Sequence, residues 1–559
     1  MVNIAFNRFY KHTELSEVLH EFVKAYPKLA SIESIGKSYE GRELWVVTVT
    51  NQETGPAADK PAFWIDANIH ATELAGSTAV LYQLNHLLTH YGIDAEISHL
   101  LDTRAFYLCP RVNPDGAEWA MADKPKFIRS STRPYPYDEP APEGLVPEDI
   151  DGDGRILMMR IKDANGQWKK HEDEPRLLVR REPTEFGGEY YRVVPEGRYP
   201  GYDGLNLNVS KVREGLDLNR NFPVGWRQEY QQVGAGDFPT SEPEVRACVQ
   251  FLTSHRNICG GIFFHTWSGV LLRPFDDKPD SDMSPEDLWV YQMIGKEGQL
   301  CTGYPAISVY HEFRYHPKQV ITGTQDWLFS EQGCFSWVVE IWCPMREAGI
   351  SGYQYIDWFR DHPVTDDLKL LKWSDEALHG KGYVDWYAYD HPDLGQVELG
   401  GWDRFYAFSN PAPHLLEKEV AKFPKWLNYQ ALLSPKLSVH STHVTALSED
   451  TWQIKLCVEN QGYLPTYVSE NALTRKLSRG VIAHLSGDIS FVQGKSRQEG
   501  PELKGRSHIH TSASFWPATT ATPDRHVFEW VVVGKAGSIC DLVAEHDKAG
   551  RVRVQMTLI

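Results

Sequence analysis

Apolar residues recur at helical spacing near the start of the chain, where Leu15, Val18, Leu19, Phe22 and Val23 share one face. Residues 10–50 therefore read as one amphipathic helix followed by a strand at Trp45-Val46-Val47-Thr48-Val49. Further on, the pattern changes to short continuous apolar runs that end on a polar side chain. One is Ala62-Phe63-Trp64-Ile65-Asp66-Ala67-Asn68-Ile69-His70, a second is Gly261-Ile262-Phe263-Phe264-His265, and a third is Phe335-Ser336-Trp337-Val338-Val339-Glu340. Runs of this length without alternation read as strands covered on both faces. The first is followed by Val80, Leu81, Leu84, Leu87 and Leu88 at helical spacing, so the class is α/β.

Between Arg129 and about Leu216 the chain is rich in Pro, Gly and Asp and too long for an ordinary connection. It reads as an insertion over about residues 134–214 and is a candidate for a fold of its own. The segment from His391 to Gly401 is assigned to the end of the first unit. From about Pro435 the texture becomes short alternating strands, such as Trp452–Val458 and Val527–Val533, which predicts a C-terminal all-β sandwich. The expected division is 1–434 and 435–559.

The 559 residues carry a formal charge of −18, the wrong sign for a nucleic-acid partner. Hydrophobic residues make up 42%, enough for sizeable cores, and no run approaches a membrane span. The amino terminus shows no basic cap followed by an apolar stretch, and the eight cysteines are scattered without a Cys-x-x-Cys pair. Buried reduced thiols and a cytoplasmic location are the expectation.

The three apolar runs each deliver a polar side chain to a strand's carboxyl end, where open α/β sheets place their ligand sites. His70, Glu73, His265 and Glu340 are thus candidates for one cleft. Two histidines and a carboxylate form a catalytic zinc shell with a position left open, and Glu340 is the candidate proton acceptor.

Seven motifs then stand in one order: Ile35-Gly36-Lys37-Ser38-Tyr39-Glu40-Gly41-Arg42, His70-Ala71-Thr72-Glu73, Asn113-Pro114-Asp115-Gly116, Asp217-Leu218-Asn219-Arg220-Asn221-Phe222, Ser241-Glu242-Pro243-Glu244, His265-Thr266-Trp267-Ser268, and Asp326-Trp327 ahead of Glu340. In these the sequence resembles the zinc metallocarboxypeptidases of the carboxypeptidase A (M14) type, from about Phe6 to about Trp342. The resemblance implies a mixed central sheet flanked by helices, followed here by the C-terminal sandwich. It also implies zinc on His70, Glu73 and His265, and Glu340 as general base. Arg129 falls at the position of the arginine that stabilises the oxyanion, with Arg133 as the alternative. Asn219 and Arg220 match the pair that grips the free terminal carboxylate of a peptide substrate.

Pocket positions Asp276 and Gln325 resemble the regulatory (N/E-type) subfamily, which implies a preference for C-terminal Lys or Arg; the competing reading is that Asp276 and Asp277 form a solvated turn. Three departures stand out. Where the family has a mobile tyrosine this chain has Lys318, with Tyr315 and Tyr310 nearby, and Tyr315 is taken as the substitute. Thr72 replaces an arginine of the pancreatic enzymes, and the separation of Arg129 from Asn219 is much longer than in compact members.

The insertion contains Asp149-Ile150-Asp151-Gly152-Asp153-Gly154-Arg155-Ile156, the first half of an EF-hand-like loop with carboxylates at positions one, three and five. Position twelve is Arg160, so Asp163 or another acid would complete a calcium shell; the competing reading is an Asp-Gly-rich turn. Two rival functions accompany the carboxypeptidase reading: action on cell-wall peptides bearing diaminopimelate, and a catalytically silent, calcium-stabilised binding protein. No membrane span and no nucleic-acid partner are expected, and the oligomeric state is left open.

Overall fold

The computed structural model describes residues 2–136, 144–313, 322–507 and 520–559. Its centre is an eight-stranded mixed sheet. The Ala30–Lys37 strand lies at one edge and pairs antiparallel with Glu43–Val49, which pairs antiparallel with Ala105–Cys109. Ala105–Cys109, Ala62–Ala67, Ile258–Thr266 and Phe335–Ile341 then run parallel, in that order. Val270–Arg273 returns antiparallel to Phe335–Ile341 and carries Ala306–Ser308 at the far edge. Every residue of the four parallel strands is buried. Continuous apolar sequence gives this result because helices cover both faces, and a separate apolar core packs against each.

The amino-terminal reading needs correction. The helix stops at Ala25, and the Ala30–Lys37 edge strand precedes Glu43–Val49. Leu15, Val18, Leu19 and Phe22 form the helix's buried face as expected, with Val23 half-buried. The strand was hidden because an edge strand has one solvated face, and Ala30–Lys37 is mostly polar or half-exposed.

The insertion shares a sheet with a distant hairpin. Its strands Met158–Lys162, Trp168–Lys170, Leu178–Arg180 and Tyr191–Pro195 join the Tyr383–His391 and Gly395–Trp402 hairpin in one six-stranded antiparallel sheet. Buried Arg160 reaches across this pairing to Glu398 at 2.9 and 3.1 Å. The segment from His391 to Gly401 is thus the partner of the insertion.

Two four-stranded antiparallel sheets built from residues 437–557 enclose a third apolar core that includes Leu456, Phe528, Trp530 and Leu542, forming the C-terminal sandwich. The eight cysteines form no disulfide. Among the described residues no helix is long and apolar enough to cross a membrane.

Candidate active site

The strand Ala62–Ala67 ends at Asn68, whose left-handed backbone (φ 60°) turns the chain out of the sheet. Asn68 Nδ2 donates to the His70 carbonyl at 2.8 Å, and Glu73 N donates to the same carbonyl at 3.3 Å. Asn410, remote in sequence, accepts from Ala75 N at 3.0 Å and donates to the Thr72 carbonyl at 2.8 Å. It serves as the missing cap of the following helix, a role worth about 1 kcal/mol. On the neighbouring strands, His265 and Glu340 are direct register partners.

These elements bring the predicted zinc set together. His70 Nδ1 lies 2.8 Å from Glu73 Oε1, His265 Nδ1 lies 3.0 Å from Glu73 Oε2, and the two ring nitrogens are 3.0 Å apart. All three residues are buried. His70 Nε2 is 3.1 Å from Asp217 Oδ1. Carboxylates thus face both ring nitrogens, and in the tautomer with the proton on Nε2 toward Asp217, Nδ1 offers a lone pair on the Glu73 side. Two imidazoles and a carboxylate with ligand atoms all within 4.8 Å of one another are a donor set that fits zinc, which His70, Glu73 and His265 would hold. Burial alone would raise the Glu73 carboxyl, but His70 and His265 outweigh it and hold it far below the usual range. Burial and then the Glu73 charge push Glu340 well above its ordinary value, while Arg129 and Arg220 pull it back.

Asp217 is the functional residue that motif reading left without a role. Its Oδ2 accepts from Arg129 Nε at 3.0 Å while Oδ1 faces His70. Burial opposes ionisation, but Arg129, Arg220 and His70 keep the carboxyl well below the usual range. Its place two residues before Asn219 was the available signal. Arg129 lines the cleft, with Nη1 3.5 Å from Glu73 Oε1. Arg133, the alternative, is committed elsewhere, to Glu242 at 2.7 and 3.1 Å and to Asp237 at 3.3 Å.

Asn219 and Arg220 sit on a single 3₁₀ turn, Leu218–Arg220, that Asp217 caps through Asn219 N at 2.9 Å. Asn219 Oδ1 accepts from Thr324 N at 2.9 Å and Thr324 Oγ1 at 2.8 Å, which leaves its amide N–H groups for the cleft. Asp276 and Gln325 line the same cleft, and Gln325 Nε2 lies 2.8 and 2.7 Å from the two Asp276 oxygens. Asp276 is half-buried there, as is Asp277 beside it. Burial raises the Asp276 carboxyl to about 7, against the pull of Arg220 and Gln325. Leu272, Val309 and Val338 are among the apolar side chains of the wall. Tyr315 and Lys318 lie outside the described residues.

The remaining motifs are scaffold. Asp115 accepts from Ser38 Oγ, Glu40 N and Arg42 Nη1, each at 2.7 Å. Asn113 Nδ2 donates to the Ser130 carbonyl at 2.7 Å, and Ala71 N donates to the Arg129 carbonyl at 3.0 Å. Together they hold the His70 turn beside the segment that carries Arg129.

In the insertion, carboxylate oxygens of Asp149, Asp151 and Asp153 all lie within 4.8 Å of one another. Gly152 N and Gly154 N donate to Asp149 at 2.7 and 2.8 Å, Tyr387 donates its hydroxyl to Asp151, and Arg155 pairs with Asp153. Asp163 does not complete this set: it pairs with Arg192 at 2.6 Å, as Arg160 does with Glu398. The acid near the cluster is Glu196, which burial, assisted by Asp151 and Asp149, raises to about 7.

Residues 15–357 match the zinc carboxypeptidase family profile, and residues 436–557 match a family described as a domain of unknown function. Mouse carboxypeptidase A2 is 25% identical over 406 residues, covering 70% of this chain and 72% of the relative. Mouse carboxypeptidase M is 36% identical over 125 residues, 22% of this chain and 28% of the relative. The solved structure of thrombin activatable fibrinolysis inhibitor aligns over 76% of this chain and 74% of that one, at 16% identity and a TM-score of 0.43. With a profile match across most of its length and the His-Glu-His set assembled inside the matched region, the chain belongs to the zinc carboxypeptidase family.

Proposed function

We propose that this protein removes single residues from the C-terminus of peptides and prefers Lys or Arg there. The observation that carries this reading is the shared cleft: the zinc set, Glu340, Asn219 and Arg220 line it together with Asp276. Held by His70, Glu73 and His265, zinc would supply Lewis-acid polarisation of the scissile carbonyl and activation of water. Glu340 takes the proton of the attacking water and returns it to the leaving nitrogen. Arg129, held by Asp217, faces the developing oxyanion, where a fixed guanidinium acts without reorganising. Arg220 and the Asn219 amide hold the substrate's terminal carboxylate, which confines cleavage to the last bond. The Asp276 carboxylate then pairs with the cationic end of the last side chain.

Calcium binding at the Asp149–Asp153 loop is a secondary part of the proposal, supported by the convergence of three carboxylates.

The test is a panel of blocked dipeptides ending in Arg, Lys, Phe, Leu and Glu, with muropeptides alongside, assayed with zinc-replete protein. Chelator-sensitive release of Arg and Lys ahead of the others is expected. Release from muropeptides alone, or equal release of every residue, overturns the basic preference.

A further inference from the structure

The chemistry above leaves the C-terminal sandwich without a task, yet its polar contacts reach the elements behind the cleft. The helix Thr324–Gln332 connects the two regions. At its N-terminal end, Thr324 bonds Asn219 and Gln325 bonds Asp276. At its other end the last carbonyls need donors from outside the helix.

Gly333, left-handed at φ 67°, supplies its own N–H to Leu328 and Phe329. The sandwich supplies the rest. Asn471 Nδ2 donates to the Phe329 carbonyl at 2.8 Å and the Ser330 carbonyl at 3.3 Å. Ser469 Oγ donates to the Gly333 carbonyl at 2.8 Å, and Arg475 donates to the Ser330 carbonyl while pairing with Glu331 at 2.9 Å. The fit is close: a Cβ on Gly333 would lie 2.3 Å from Ala472 Cβ.

The sandwich is itself anchored to the catalytic unit. Buried Asp287 of the Pro285–Thr302 helix accepts from Glu470 N and Asn471 N at 2.8 and 2.9 Å. Buried Lys548 donates to the Ile258 carbonyl at 2.6 Å and to Cys334 Sγ at 3.1 Å. Those two contacts lie at the N-terminal ends of the strands that carry His265 and Glu340. A nine-residue helix is a rod of about 14 Å, so its two ends move together.

We propose that the sandwich is a positioning element for the specificity pocket: by capping the Thr324–Gln332 helix through Ser469, Asn471 and Arg475, it fixes where Gln325 holds Asp276. The inference rests on the reading of that pocket as the seat of the last side chain. None of the three residues lines the cleft; they are positioning residues.

The experiment compares full-length wild type with Asn471→Ala and with Arg475→Ala, whose half-exposed side chain can be removed without disturbing a core. Amide hydrogen exchange is followed over residues 324–332, and kcat and KM are measured on Arg-ending and Phe-ending peptides. Loss of a cap should speed exchange in that helix about fivefold. The KM for the Arg-ending peptide should rise about five- to tenfold, with kcat and both constants for the Phe-ending peptide within a factor of about two. Unchanged exchange overturns the proposal, and so does an equal loss on both peptides, which is what plain destabilisation produces. If wild type releases neither residue, the carboxypeptidase reading fails on its own account, and the exchange experiment still decides whether the sandwich holds the helix.

Discussion

Asp217 stands behind His70, with its Oδ1 3.1 Å from Nε2 of the ring whose Nδ1 faces Glu73. The same carboxylate holds Arg129, so one residue orients both His70 and Arg129. Asp217→Asn is expected to weaken zinc binding about 10- to 100-fold, as loss of a ligand's supporting partner does. Competition with a zinc-sensitive chelator measures this directly, and unchanged affinity would remove Asp217 from the metal's support.

Glu340→Gln keeps the shape of the site and removes the proposed proton acceptor. Turnover should fall about 10²- to 10⁴-fold while zinc content by metal analysis stays at the wild-type level. A variant that is inactive because it has lost zinc would assign Glu340 to metal binding.

On the proposed reading, Asp276 carries the side-chain preference. Asp276→Asn should lower kcat/KM for Arg-ending peptides about 100-fold and leave Phe-ending peptides nearly unchanged or improved.

On that reading the same residue sets a pH dependence. Burial raises the Asp276 carboxyl to about 7 in the free protein, so it is neutral below that value and charged above it. A cationic side chain binds the charged form, and binding in turn favours ionisation. The ratio of kcat/KM for Arg-ending over Phe-ending peptides should therefore rise with pH through the neighbourhood of 7. Taking the ratio cancels the titrations of Glu340 and the zinc set, which both substrates share, and a flat ratio would separate Asp276 from the preference.

Zinc removal should cost stability as well as activity, because the buried donor set is assembled only in the folded protein, so zinc bound there stabilises the fold by linkage. At free zinc about 1,000-fold above Kd the linkage amounts to about 4 kcal/mol, readable as a drop in Tm on chelation and its recovery on adding zinc.

In the insertion, a half-loop with Arg160 at position twelve and Asp163 paired to Arg192 offers too few acids for tight binding. Calcium, if held by Asp149, Asp151 and Asp153, should bind at about 10⁻⁴ to 10⁻³ M, and Asp151→Asn should abolish the heat of binding in a calorimetric titration.

Sequence by itself determined three of the four parallel strands, those at Ala62–Ala67, Ile258–Thr266 and Phe335–Ile341, and the side chains near their carboxyl ends. A strand buried on both faces is mostly apolar, so a His or Glu at or just past its carboxyl end stands out, and His70, Glu73, His265 and Glu340 were legible for that reason. Asn219 and Arg220 were legible through a local motif. Tertiary structure alone decided which distant groups meet. Asp217 was in view, but nothing local shows that it joins His70 to Arg129. Ala30–Lys37 was missed because an edge strand needs no apolar run. The insertion's sheet depends on a hairpin at 383–402, and the pocket helix depends on Asn471. Hydrophobic periodicity records how much of a segment is buried, whereas pairing across hundreds of residues is settled by complementarity that neither segment carries alone.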